Sequence, residues 1–317
     1  MKSKYEKIDL SKVKTISIKN RKSKVNTAEF AKIFDPKTQS FIDFIDSLPE
    51  ILVAKDLKIL VDKIVNAYRK NKLVIFLIGA HVIKVGLAPL LIELGRLGVL
   101  KALAMNSATA IHDIETALFG QTSEDVAENI MDGTFGMAKE TGDFINLTLE
   151  RYYKTSDLGY GEALGKELND INAPNKDYSV LASFYNLNIP VTVHAAIGTD
   201  IVHQQPTMNG AVTGEMSFRD FKTLCNVLKN LDSESVVVNI GSAVIMPEVF
   251  LKALTVVRNL GYNAFGFTTA NFDMLRHYRP TVNVVQRPTQ GGGQGFMITG
   301  HHEIMIPLLV AMIKSKI

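Results

Sequence analysis

LVIFLIGAHVIKVGLAPLLIELGRLGVLKALAMNSATAIHDIETALFG, residues Leu73–Gly120, decides the fold. Leu73–Ile78 is an unbroken apolar run of the kind that fills a strand buried on both faces. The spacing from Val82 to Leu97 predicts a helix, Leu100–Met105 a second strand, and the residues from Ser107 a second helix. Each strand ends in small or polar residues, Gly79-Ala80-His81 first and Asn106-Ser107-Ala108-Thr109 next, before His112-Asp113. Ligands of open parallel sheets bind at such carboxyl-end turns.

The same grammar returns downstream. Ile189–Ala195 and Ser235–Ile240 read as strands, as do Asn263–Phe267 and Thr281–Val285. Helices are expected over Ser217–Leu231, with Ser217 and Asp220 as a capping pair, over Pro247–Leu260, and over Ile304–Ile313. Upstream, Phe41–Leu48 and Ile51–Lys70 read as helices. Thr122 or Ser123 is expected to cap a further helix, and 152–177 reads as a surface excursion. Strands alternating with helices predict an α/β fold with a doubly wound, mostly parallel, Rossmann-like sheet. No Pro/Gly/Ser linker divides the chain, so the reading is an N-terminal arm (1–40) that packs on a neighbour and one domain (41–317).

Composition excludes several classes. The 317 residues are 46% hydrophobic with a formal charge of +3. The basic excess lies mostly between Lys2 and Lys24, and elsewhere acids balance bases, which argues against a nucleic-acid partner. One cysteine, Cys225, leaves no internal disulfide and no cysteine-rich zinc site. No apolar run reaches the ~20 residues that cross a bilayer, and the charged start lacks the apolar core of a signal peptide, so a cytoplasmic protein is expected.

Four turns carry the candidate chemistry: Gly79-Ala80-His81, Asn106–Asp113, Gly241-Ser242-Ala243, and Thr268-Thr269-Ala270-Asn271 with Asp273. Small residues there let a ligand approach the backbone, although no G-x-G-x-x-G and no Walker lysine is present. Pro288–Gly300, with Gly291, Gly292 and Gly293 adjacent, reads as a loop able to wrap a pyrophosphate or close as a lid. Asp200, in AAIGTD, is placed to hold an ammonium, and His112 and His194 are candidates to accept a proton. Paired histidines such as His301-His302 point about 100° apart on a helix, so no metal site is expected.

Taken in order, IFLIGAHVIKVGL, ALAMNSATAIHDIETALFG, IPVTVHAAIGTD, VVVNIGSAVIMPE, GFTTANFD, QRPTQGGGQGF and IMIPLLVA resemble the deoxyhypusine synthase family over about residues 73–313. IHDIETALFG is also similar to the NAD domain of archaeal-type ornithine cyclodeaminases. The resemblance implies NAD as cofactor, a polyamine, other small amine or amino acid as substrate, and a homotetramer with sites between subunits. Carried over by position, Asn106, Ser107, Ala108, Asp113, Gly241, Ser242, Thr269, Ala270 and Asp273 would lie against NAD. His112 would lie close to the NAD, and Asp200 would match a carboxylate that binds the polyamine. The family's Trp-Gly-Lys is Gln294-Gly295-Phe296 here, and a phenylalanine cannot form the imine that carries the transferred group. The expectation is therefore a deoxyhypusine-synthase-like NAD enzyme that does not make deoxyhypusine. The alternatives are a non-catalytic NAD or metabolite binder and an ornithine-cyclodeaminase-like enzyme.

Overall fold

The computed structural model describes residues 1–317, which divide into two compact units, Met1–Leu52 and Val53–Ile317. The division falls after Leu52 rather than at residue 40, because α1 (Phe41–Ser47) groups with the N-terminal segment. Within that unit Ser40 caps α1 reciprocally with Asp43, and Phe34 packs edge-on against Phe44 at 5.3 Å. Residues 1–40 otherwise hold only two single-turn helical segments.

The second unit is built on six parallel strands: β1 (Val74–Ile78), β2 (Ala102–Asn106), β3 (Val191–His194), β4 (Val236–Ile240), β5 (Thr268–Asp273) and β6 (Gln294–Thr299). Their order is β3-β2-β1-β4-β5-β6 and every pairing is parallel. The strand order reverses between β1 and β4, which sets a crevice beyond their carboxyl ends. β1, β2 and β4 are apolar along almost their whole length because helices cover both faces. On one face Ile75, Leu77, Ala104 and Val237 pack with Leu224 and Leu228 of α10 (Gly210–Leu228) and Phe250, Leu254 and Val257 of α11 (Ile245–Asn259). Phe76, Ile78, Val238 and Ile240 alternate to the other face. There α13 (His302–Lys314) lies against β5 and α4 (Ala88–Arg96).

Helices α2 (Leu52–Arg69) and α13 match the sequence reading closely, and other segments differ for identifiable reasons. The helix expected over Val82–Leu97 is two, α3 (Ala80–Lys84) and α4, broken where Gly86 adopts φ +81. The region 152–177 is not a surface excursion. α7 (Lys139–Thr155) runs into it, and α8 (Tyr160–Asp170) buries Tyr160, Leu164 and Leu168. α6 (Val126–Asp132) is capped by Asp125 itself rather than by Thr122 or Ser123.

Ser217 and Asp220 do not cap a helix, because α10 begins earlier, at Gly210, with Asn209 as its cap. They fasten β3 instead. The Ser217 hydroxyl accepts from Ala195 N at 3.0 Å, and the buried Asp220 carboxylate accepts from Gly161 N at 2.8 Å and Val193 N at 2.6 Å.

The last two strands lie later than their expected positions. The strand read at Asn263–Phe267 is in fact the next six residues, Thr268–Asp273, and Thr281–Gln286 is a π-helical turn that follows α12 (Tyr278–Pro280). The glycine-rich stretch expected to be a loop or lid supplies β6. A Cβ on Gly295 would come 2.3 Å from the Val285 carbonyl oxygen, so glycine is what lets this strand close on the π-turn.

Candidate active site

The carboxyl ends of β1, β2 and β4 bring two features together. The first is the crevice at the order reversal. Gly79 and Gly241 meet there so closely that a Cβ on Gly79 would lie 2.1 Å from the Gly241 carbonyl oxygen. Gly79 N donates to Ile240 O at 2.9 Å, which ties the two turns together. His302 covers Gly241, with its ring 5.5 Å from that of His81. His302 is 1% exposed, yet neither ring nitrogen has a hydrogen-bond partner within the chain. Burial pushes its pKa down, with the nearby Asp273 carboxylate opposing the shift. A neutral imidazole offers one donor and one acceptor, which suits a ligand hydroxyl.

The second feature is a cavity of about 200 Å³ beside β2, lined by residues that include Lys84, Ala108, His112, Glu115, Glu124 and Asp200. α5 (Ser107–Phe119) starts directly from β2, because Asn106 caps it by accepting from Thr109 N at 3.1 Å. One turn on, His112 points toward the loop that follows α5. Its Nδ1 lies 2.6 Å from Thr122 Oγ1, and that hydroxyl donates to Glu115 Oε2 at 2.5 Å. Because the single Thr122 proton goes to Glu115, Nδ1 must carry the proton in the His112–Thr122 bond. Nε2 is left as the lone-pair nitrogen. Burial lowers the His112 pKa, Glu115 partly opposes this, and Lys84 and His81 add to it, so the ring is neutral at pH 7.

Asp200 faces the same cavity from the turn after β3. The Ser107 hydroxyl donates to its carboxylate. His203 stands behind it, with Nδ1 accepting from Gly198 N and Asp200 N, each at 3.2 Å, and Nε2 3.8 Å from Asp200 Oδ2. Both side chains are 4% exposed.

The sequence-derived residues therefore fall into groups. Ala108, His112 and Asp200 line the cavity, and Ser107 holds Asp200. Gly241 and Asp273 lie at strand ends by the crevice, and Asn106 is occupied as a helix cap. Ser242 is buried, and its hydroxyl accepts from Met246 N at 3.1 Å.

The other four are corrected by their surroundings. Asp113 is fully buried and accepts from Ser179 Oγ, Val180 N and Leu181 N at 2.5, 2.8 and 3.2 Å, which ties α5 to the start of α9 (Val180–Asn186). Burial raises its pKa to about 6 against the pull of those bonds. Thr269 and Ala270 lie inside β5 with no exposed surface, away from the carboxyl end of the strand. His194, at the end of β3, pairs with Thr192 Oγ1 at 3.0 Å, and burial pushes its pKa down to about 3, too low for a proton acceptor. Lys84, Glu115 and Glu124 carried no signal of a site in the sequence, and Thr122 only that of a helix cap, since only the fold brings α3, α5 and the following loop together. Phe296 is a buried residue of β6.

At the crevice neither His302 ring nitrogen has a hydrogen-bond partner, and Asp273 stands close by with Oδ1 accepting from Met274 N at 2.8 Å, so the unmet hydrogen-bonding capacity there is of the kind a ligand's hydroxyls satisfy. No family profile and no curated protein sequence matches the chain. Solved structures do match it. A candidate deoxyhypusine synthase from Entamoeba histolytica aligns over 90% of this chain and 96% of its own, at 13% identity and a TM-score of 0.54. A conserved candidate LOR/SDH protein from Methanococcus maripaludis S2 aligns over 84% of this chain and 71% of its own, at 17% identity and a TM-score of 0.51. The ternary complex of AgrE with ornithine and NAD+ aligns over 83% of this chain at 14% identity and a TM-score of 0.50, and the chain spans only 32% of AgrE. What these likenesses establish is the fold: a six-stranded all-parallel α/β fold of the deoxyhypusine synthase-like kind, one also found in NAD-associated enzymes.

Proposed function

We propose that the protein is an NAD-associated enzyme acting on a small amine-bearing substrate, an amine, polyamine or amino acid. The observation that carries this reading is the His112–Thr122–Glu115 relay, which sets a lone-pair nitrogen beside the cavity that Asp200 also lines. Asp200 orients the substrate ammonium; the Ser107 hydroxyl holds its carboxylate, and His203 Nδ1 fixes its backbone by accepting from Asp200 N. His112 Nε2 takes up a proton from the ammonium, and its neutral form at pH 7 leaves it free to do so. Gly241, Asp273 and His302 hold the dinucleotide, which when bound supplies a hydride acceptor.

Phe296 favours a second reading, a binder that keeps the dinucleotide and lacks chemistry, because no imine-forming lysine stands at that position. One experiment separates the two. Native mass spectrometry of the purified protein reads the number of subunits, expected as four, and any NAD carried. Small amines and amino acids are then screened for the absorbance of reduced nicotinamide. NAD bound together with an amine-dependent signal supports the enzyme. NAD bound with no signal across the screen supports the binder, and failure to bind added NAD refutes both.

A further inference from the structure

α6 is the one α-helix of the second unit that buries no residue, and its Val126, Ile130 and Met131 are 47, 60 and 84% exposed. The segment that carries it is nevertheless well tied to itself. Glu124 accepts from Asn129 Nδ2 and from Gly136 N, both at 2.9 Å, and Asn129 O accepts from Thr134 N and Phe135 N, both at 3.0 Å. Residues 124–136 thus form a loop whose two ends are held together. No backbone–backbone hydrogen bond joins residues 121–137 to the rest of the chain. Side chains alone make those bonds. At one end Thr122 meets Glu115 and His112, and at the other Gln204 Nε2 donates to Phe135 O at 2.7 Å and Gln205 Nε2 to Gly136 O at 2.6 Å. Gly136 seats closely there, since a Cβ on it would come 2.5 Å from Ile201 Cγ2. Ser123 and Glu124 stand between two spaces. On one side is the cavity beside β2, and on the other is a wider hollow of about 560 Å³ lined by Phe119, Thr122 and Thr141 among others. Glu115, Ser123 and Glu124 line both.

We propose that residues 121–136 are a lid, and that lifting it joins the two spaces and admits a small ligand from the hollow to the cavity. The lid turns at Gly120, which is left-handed at φ 69, and at Ala138, which starts α7 without a side-chain cap. It moves as one body because its inner bonds are kept when only the side-chain ties at its two ends are broken, and those ties cost far less to break than the fold does. Gln204 and Gln205 are its latch. Both belong to the short stretch that follows Asp200, where Ile201–Gln204 forms a single helical turn, so the latch and the carboxylate of the cavity share one segment. The inference rests on this cavity being the site proposed above, but its test uses neither amine nor NAD. A failed amine screen therefore leaves the lid standing, and a failed lid test leaves the amine reading standing.

Diethyl pyrocarbonate supplies the test, because it acylates a neutral histidine at its lone-pair nitrogen and peptide mass spectrometry reads each histidine of the full chain separately. His112 lines the covered cavity, the His301 side chain is 64% exposed, and His194 is buried. Wild type is expected to label His301 fast, His112 slowly and His194 not at all. Gln204→Ala and the isosteric Gln204→Glu each remove one hydrogen bond from the latch, so His112 labelling should rise about fivefold, with His301 and His194 as in wild type. Gln204 is exposed, so both variants fold. His112 labelling as fast as His301 in wild type overturns the inference, as does a His112 rate that neither variant changes. A rise that His194 shares overturns it too, because Gln204 would then be holding the fold rather than a lid.

Discussion

Replacing His194 by glutamine separates a buried neutral histidine from a working base. The side chain is 3% exposed and its pKa is held near 3 by burial, against 6.5 for the free group. A histidine whose folded pKa is depressed binds more protons when unfolded. Its contribution to stability is therefore full above pH 6.5 and is lost as pH falls toward 3. At about 1.4 kcal/mol per pH unit, the loss at pH 5 relative to neutral pH is about 2 kcal/mol. Asp113 and Asp220 are carboxyls with raised folded pKa values, about 6 and about 8, and they bend the wild-type profile the other way as pH falls. The comparison must therefore be between wild type and His194→Gln, in which those two terms cancel. Urea unfolding at pH 7 and at pH 5 supplies the four free energies. The variant's constant offset is irrelevant, and the gap between the two proteins should narrow by about 2 kcal/mol on going to pH 5. A gap that stays constant would refute the buried, neutral His194 and return it to the list of proton acceptors.

Two further outcomes follow from the geometry. Asp113→Ala removes three hydrogen bonds from a buried carboxylate and is expected to cost about 3–5 kcal/mol in urea unfolding, with NAD affinity of the folded protein unchanged. A stable variant that loses NAD would instead make Asp113 a cofactor residue. Gly79→Ala drives a methyl into the Gly241 carbonyl, so the thermal midpoint should fall in line with a cost of about 3 kcal/mol, and a variant that melts with wild type would refute the close approach of the two turns.

The sequence was informative where burial on both faces leaves almost nothing but apolar residues. Val74–Ile78, Ala102–Asn106 and Val236–Ile240 could be read as strands for that reason. It misled where a buried strand is made of polar or small residues. Thr268–Asp273 resembles a turn because Thr, Asn and Asp favour turns, and Gln294–Thr299 resembles a loop because its glycines serve close backbone contact rather than flexibility. The same confusion put Thr269 and Ala270 among the ligand contacts. In the site, His112, Asp200 and Ser107 were visible as unusual residues at strand ends. Lys84, Glu115 and Glu124 look like ordinary surface charges, and only the packing of α3 against α5 with the loop that follows α5 turns them toward one space.

The proton arrangement on His112 has a consequence for when the site is competent. Thr122 lies beyond α5, past a left-handed Gly120 at φ 69, and it is the only side chain hydrogen-bonded to the ring. A loop lifted from α5 releases the imidazole to place its proton on either nitrogen, and half of the resulting chemistry is unavailable to a substrate. Seating the loop and arming the base are therefore one equilibrium. In the reading proposed above, the readiness of His112 as a base is set by the order of residues 120–125, a segment that need not touch the substrate at all.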